Sequence, residues 1–120
     1  MSGSSANFSA KFKTTKGIQN MTTLLAPNAC KTMTDLRAQI DAIDVDLIGL
    51  LVTRSRYIDR AVDLKKIEGL PARTTDRVAE VLDKVSSTAF EQGLDPNLAR
   101  KLWAELIEWS IQREVRELGE

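Results

Sequence analysis

Apolar positions recur along this chain at alternating three- and four-residue spacings, and the longest series runs Leu36, Ile40, Ile43, Leu47, Leu50, Tyr57, Ala61, Leu64. That period marks one face of a helix. Thr34 or Asp35 is placed to cap it and Gly69 and Pro71 to stop it, so a single long helix is predicted to about Glu68. A second helix is predicted from near Thr74 or Thr75 to around Gly93, carrying Val78, Val81, Leu82 and Val85. A third opens on Asp95 as N-cap with Pro96 at the first helical position, carries Leu98, Leu102, Trp103, Leu106, Ile107 and Trp109, and ends at Gly119. No alternating strand pattern competes. The predicted class is all-α, a three-helix subunit with one long N-terminal helix.

The length of that helix bears on assembly. At ~1.5 Å per residue it extends ~50 Å, whereas a compact body of this size has a radius of gyration of ~12 Å. Two shorter helices cannot cover the whole stripe, so an intertwined homodimer is expected, each long helix covering the other's apolar length. A break near Gly49 is the alternative, and a single glycine costs a helix only ~1 kcal/mol.

Before the helices lies a different composition. Residues 1–33 are rich in Ser, Thr, Asn and Lys, lack periodicity and read as a mobile tail or an artificial extension, with Met21 as a candidate natural start; residues 34–120 are the helical domain. The 120 residues carry 17 basic and 17 acidic side chains. That balance removes the general electrostatic case for nucleic acid or an anionic membrane surface. No apolar run is long enough for a membrane span or a signal sequence, so a soluble, cytoplasmic protein is expected. There is no histidine and one cysteine, Cys30. Disulfides within the chain, histidine-based acid–base chemistry and ordinary zinc sites are thereby excluded. Asp41, Asp44 and Asp46 are spread around a helix and read as a solvated face rather than a metal site, and neither metal nor cofactor is expected.

Because residues 1–34 hold four lysines and no acid, the other 86 carry a net charge of about −4. An acidic body that binds an anion must concentrate its cations. Arg54 interrupts the apolar stripe, and its neighbours one helical turn away are Leu50, Leu51, Tyr57 and Ile58, none of them acidic. A cation buried there would cost several kcal/mol unless neutralised, and a bound anion would do so. Lys65 follows eleven residues later, three turns plus about 20°, so it points the same way. Arg37 stands ~25 Å before Arg54 and about 100° round the helix; it is better placed for the pocket of a second subunit. Arg77 opens the second helix, where the dipole also favours an anion. On the third helix Ser110 and Glu114 continue the face of Trp103 and Leu106 with polar groups. Together these form an expected inward-facing set of Arg, Arg, Lys, Ser and Glu.

Leu36-Arg37-Ala-Gln-Ile-Asp-Ala-Ile-Asp44, then Leu50-Leu51-Val-Thr-Arg54, Leu64-Lys65, Pro71, Asp76-Arg77 and Leu106-Ile107-Glu-Trp-Ser110 form an ordered set that resembles the all-helical chorismate mutases. No single piece is specific; the order is. The resemblance covers roughly Asp35 to Leu118. It implies an interlocked homodimer with two active sites that converts chorismate to prephenate in aromatic amino-acid biosynthesis. It further implies that Arg54, Lys65 and Arg77 bind substrate within one subunit, that Arg37 comes from the other, and that Ser110 holds a substrate carboxylate. Lys65 would face the ether oxygen whose bond breaks. Glu114 would take the second ether-facing position, glutamine in many members.

Such a reaction explains the missing histidine. It is unimolecular and pericyclic, and needs only a dianion held in a reactive shape with charge on the ether oxygen stabilised. Arginines and one lysine suffice. Two departures stand out: Thr74 and Val78 replace acidic residues that contact the substrate hydroxyl in better-known bacterial members, and only Thr74 can still hydrogen-bond. A near relative, isochorismate pyruvate lyase, also has Arg-Val at Arg77-Val78 and a tyrosine at Tyr57, and yields salicylate and pyruvate. From outside enzymes, the alternatives are a catalytically silent helical binding module and a regulatory module that binds an aromatic metabolite, and a separate partner enzyme that tunes activity is left open. Each cation also has an ordinary explanation: Arg37 with Asp41, Lys65 with Glu68, Arg77 with Glu80, and Glu114 as a solvated residue between Arg113 and Arg116.

Overall fold

In the computed structural model of the chain, residues 23–120 are described, and they are helical apart from short connections. After a 3-10 turn at Pro27–Ala29 come α1 (Met33–Glu68), α2 (Thr75–Gln92) and α3 (Pro96–Leu118). The all-α, three-helix class follows directly. Met21, the candidate start, lies outside the described residues. No helix among the described residues is long and apolar enough to cross a membrane.

α1 begins slightly earlier than the sequence suggests. Thr32 Oγ1 accepts from the Asp35 N–H at 3.1 Å, while Asp35 Oδ2 accepts from the Lys31 N–H at 3.1 Å. These two side chains satisfy donors at the helix start reciprocally, a variant of the capping box with Asp in the third position. The cap is therefore Thr32 rather than Thr34 or Asp35. The helix continues through Gly49 without a break. Its end is as expected: Gly69 takes φ 70°, a left-handed conformation that costs glycine little, and the Leu70 N–H closes onto Lys65 O at 2.9 Å. The same closing bond ends the other two helices, from Leu94 N–H to Ala89 O and from Glu120 N–H to Val115 O. At the start of α3, Asp95 Oδ1 accepts the Asn97 N–H at 2.9 Å beside Pro96.

The described residues divide into two compact units on either side of the Arg54–Ser55 bond, with α1 contributing to both. In the first, the Leu25 N–H donates to Gln39 Oε1 at 3.0 Å, so the segment before α1 is tied to its second turn. Ile40, Ile43, Val45, Leu47, Ile48 and Leu51 are all exposed. Much of the apolar stripe that defines α1 in the sequence is thus uncovered within one chain.

The second unit holds the core. α2 and α3 form a helical hairpin across Gly93–Asp95, and Ala72, Ile107 and Ile111 make a buried cluster against which Val78, Val81, Leu82, Trp103, Val115 and Leu118 pack. Arg100 ties the hairpin from its side, donating to Leu82 O at 3.3 Å and to Ser86 Oγ at 3.3 Å. Arg113 pairs with Asp59, so α3 is also fixed to the C-terminal half of α1. These contacts place the last turns of α1, the connection 69–74 and the C-terminal half of α3 side by side.

Candidate active site

Two ionisable side chains that lie 49 positions apart meet inside the second unit. Lys65 Nζ donates to Glu114 Oε1 at 2.6 Å, and the two side chains are only 16% and 5% exposed. Lys65 Nζ also donates to the Ala72 carbonyl at 2.6 Å. A lysine ammonium carries three N–H donors, so among the described residues these two partners leave one for a ligand. Burial makes this pairing consequential: the desolvation of either charge is offset only while the other stays in place. Lys65 therefore does not take its expected ordinary partner, Glu68, and Glu114 is not the solvated residue its flanking arginines suggest.

Ser110 stands one turn before Glu114 on α3 and is equally buried, 4% exposed for each residue. Its hydroxyl lies 2.8 Å from Leu106 O, the acceptor one turn back, a bond that a serine in a helix commonly makes. Thr74 is the half-buried residue that precedes α2, and its side chain does not cap the helix. That hydroxyl is consequently not spent on the backbone of α2.

The arginines behave differently. Arg77 is exposed and pairs with Glu80 at 2.9 Å, the ordinary one-turn contact rather than an inward-facing one. The reason is local: Glu80 lies on the same face of α2 and both side chains are more than half exposed. Glu80's carboxyl is held below the usual range by that hydrogen bond, and by Lys84 beside it. In the first unit Arg37 is exposed and Arg54 half-buried, so Arg54 does not sit in a fully desolvated stripe. Its apolar neighbours Leu51 and Tyr57 are themselves exposed, which accounts for the difference. Of the expected set, Ser110 and Glu114 are buried and the Lys65 side chain is largely enclosed beside them.

Other members of this neighbourhood have no signature in the sequence. The Ala72 carbonyl is a backbone group, and nothing in an alanine announces that its oxygen holds an ammonium. Ala72 is 2% exposed, and its N–H is bonded to the Glu120 carboxylate, at 3.2 Å to Oε1 and 3.1 Å to Oε2. Asp59 and Arg113 form a second link between α1 and α3; the Arg113 hydrogen bond holds the Asp59 carboxyl below its ordinary range. Arg113 also lies over the half-exposed Trp109 ring, 5.7 Å from its centre. An apolar cleft of about 240 Å³ opens between α2 and α3, lined by Val85, Ala89, Ala99 and Trp103 among others, and none of its lining residues belongs to the Lys65 cluster.

The fold is of the all-helical class, three helices whose packing pairs a half-buried lysine with a buried glutamate one turn from a buried serine. The comparison with known families makes that class specific: the family described as chorismate mutase type II matches residues 36–115, and the chain belongs to it. Among curated proteins, the chain is 34% identical over 91 residues to the isochorismate pyruvate lyase of Pseudomonas aeruginosa, covering 75% of this chain and 88% of that one. It is also 31% identical over 72 residues to the 4-amino-4-deoxychorismate mutase of Streptomyces pristinaespiralis, covering 60% of this chain and 56% of the relative.

Proposed function

We propose that the protein is a chorismate mutase, rearranging chorismate to prephenate. The observation that carries this reading is the half-buried Lys65 ammonium, held by Glu114 and the Ala72 carbonyl with one donor left over, in a chain of the chorismate mutase type II family. The rearrangement breaks the ether C–O bond and forms a C–C bond in one molecule, so no atom enters or leaves. Negative charge grows on the ether oxygen as the bond stretches. A fixed ammonium beside that oxygen stabilises the transition state more than the ground state, which is what lowers a barrier. No nucleophile is required.

The substrate's two carboxylates need cations in fixed positions. Arg54 and Arg77 are assigned to them within one subunit and Arg37 from the other, in a homodimer whose two sites each draw on both chains. Support for the dimer comes from the exposed apolar length of α1, which a second copy would cover. Arg77 must exchange Glu80 for substrate, a modest cost because that pair is exposed. Ser110 is assigned to a carboxylate, and its hydroxyl must turn away from Leu106 O to donate to it. Thr74 is assigned to the substrate hydroxyl. Glu114 accepts from Lys65 in the free protein, so it orients the ammonium; it donates to the ether oxygen only when protonated.

The identity to a lyase over most of both chains favours a second reading, isochorismate pyruvate lyase, in which the same ammonium would face the breaking bond of isochorismate. Incubating the purified protein separately with chorismate and isochorismate and identifying the products distinguishes the two. Prephenate is expected to form the faster. Salicylate and pyruvate as the dominant products would reverse the assignment, and turnover of neither by a folded protein would favour a silent binding module.

A further inference from the structure

We infer that Glu120 is a positioning residue for Lys65, acting through the backbone of Ala72; this rests on the proposed role of Lys65 as the ammonium at the breaking bond. Both polar backbone atoms of Ala72 are committed. Its N–H donates to the Glu120 carboxylate, at 3.2 and 3.1 Å to the two oxygens, and its carbonyl accepts from Lys65 Nζ at 2.6 Å. The chain of contacts therefore runs from Glu120 to the Ala72 backbone, and from there to the Lys65 ammonium and Glu114.

Each link is set by a helix end. Gly69 reverses the chain after α1, and the Leu70 N–H bonds Lys65 O, so the connection that carries Ala72 starts at the backbone of Lys65 itself. Gly119 takes φ 77° and reverses the chain after α3, with the Glu120 N–H closing on Val115 O. That reversal brings Glu120 back beside the turn of α3 that carries Glu114. Ala72, 2% exposed, is also packed on Ile107 and Ile111, so its side chain fixes one side of the connection. Its peptide groups can still rotate about that anchor. The Glu120 carboxylate holds the N–H of the peptide group before Ala72, and with the packed side chain this leaves only the torsion beyond Cα to set the carbonyl. A lysine side chain has four rotatable bonds, and one acceptor does not fix its head. Two acceptors, Glu114 Oε1 and Ala72 O, do.

Position rather than charge is what this arrangement supplies. A glutamine at 120 keeps an acceptor oxygen for the Ala72 N–H and an alanine does not. The experiment measures kcat and KM with chorismate and isochorismate for wild type, Glu120→Ala and Glu120→Gln, and in parallel the rate at which a small amine-reactive acylating reagent labels Lys65, by peptide mass spectrometry with Lys66 as internal reference. Glu120→Ala is expected to lower kcat roughly 10-fold with little change in KM, as misplacing a reacting group does. It should raise Lys65 labelling several-fold while Lys66 stays constant. Glu120→Gln is expected to restore most of both. Unchanged Lys65 labelling in Glu120→Ala, or raised labelling with wild-type kcat, overturns the inference; so does a Glu120→Gln variant as impaired as the alanine. If the wild type turns over neither substrate, the proposed function fails, and the labelling pattern alone decides whether Glu120 holds Lys65.

Discussion

Replacing Lys65 with methionine keeps most of the aliphatic stem and removes the ammonium, which isolates what the charge contributes. In the native protein that ammonium makes two bonds of 2.6 Å, to Glu114 Oε1 and Ala72 O. Without it a carboxylate that is 5% exposed has lost its counter-ion, and a carbonyl of a residue 2% exposed has lost its donor. Breaking a fully buried pair from one side costs about 3–5 kcal/mol. Lys65 is 16% exposed, so water can partly replace it, and the expected loss is nearer ~2–4 kcal/mol. In a domain of this size that lowers Tm by roughly 10–20 °C. The residual carboxylate is the cause of most of this loss, so Lys65→Met with Glu114→Gln should be less destabilised than the two single changes added together, by about 1–2 kcal/mol. Urea unfolding followed by far-ultraviolet circular dichroism, at one fixed protein concentration so that any association weighs equally on every variant, measures all four corners of the cycle. A Lys65→Met variant within about 0.5 kcal/mol of wild type, or strict additivity in the double variant, would refute the claim that a buried, mutually neutralising pair exists.

Glu114→Gln alone is expected to raise the proposed mutase activity near neutral pH, since an amide can donate to an ether oxygen and a carboxylate cannot; a rate equal to or below that of the wild type would remove Glu114 as a donor. In the proposed homodimer, Arg37→Ala and Arg54→Ala should each lose at least ~100-fold in kcat/KM, and mixing and refolding the two variants should recover part of the wild-type rate. In the heterodimer one site lacks both arginines and the other keeps both, so mixed dimers that recover nothing would show that Arg37 does not act in trans. The Asp59 carboxyl, held low chiefly by its hydrogen bond to Arg113, binds its proton at a lower pH in the folded chain than in the unfolded one. It therefore stabilises the fold above about pH 4, and this contribution disappears as pH falls through the lowered folded value. Asp59→Asn should be less stable than wild type at pH 7 and draw level with it in strong acid, and equal urea midpoints at both pH values would contradict that sign.

Helix identity and most helix ends were written locally in this chain, and the reason is physical. A glycine that must take positive φ at Gly69, a proline with an acidic cap at Asp95-Pro96, and apolar residues at three- and four-residue spacing act through neighbours within one turn, so the linear sequence contains the whole interaction. The one end that differs from expectation follows the same rule: Thr32 and Asp35 form a reciprocal cap that is just as local, but it lies ahead of the apolar periodicity that begins at Leu36. The choice of Lys65, Ser110 and Glu114 also came from sequence, through their place in an ordered set of motifs. What no stretch of sequence contained was their environment. Lys65 and Glu114 are 49 residues apart, and each had a nearer partner of opposite charge; only the packing of α3 against the end of α1 decided that they pair with each other away from most of the solvent. Arg77 was decided the other way, left on the surface with Glu80 because the packing of α2 turns that face outward. The Ala72 carbonyl and the Glu120 carboxylate depend on tertiary structure entirely. One is a backbone atom common to every residue, and the other an ordinary surface residue type, and they come together only where two helix ends, each closed by a left-handed glycine, set the Ala72 backbone between the Glu120 carboxylate and the Lys65 ammonium.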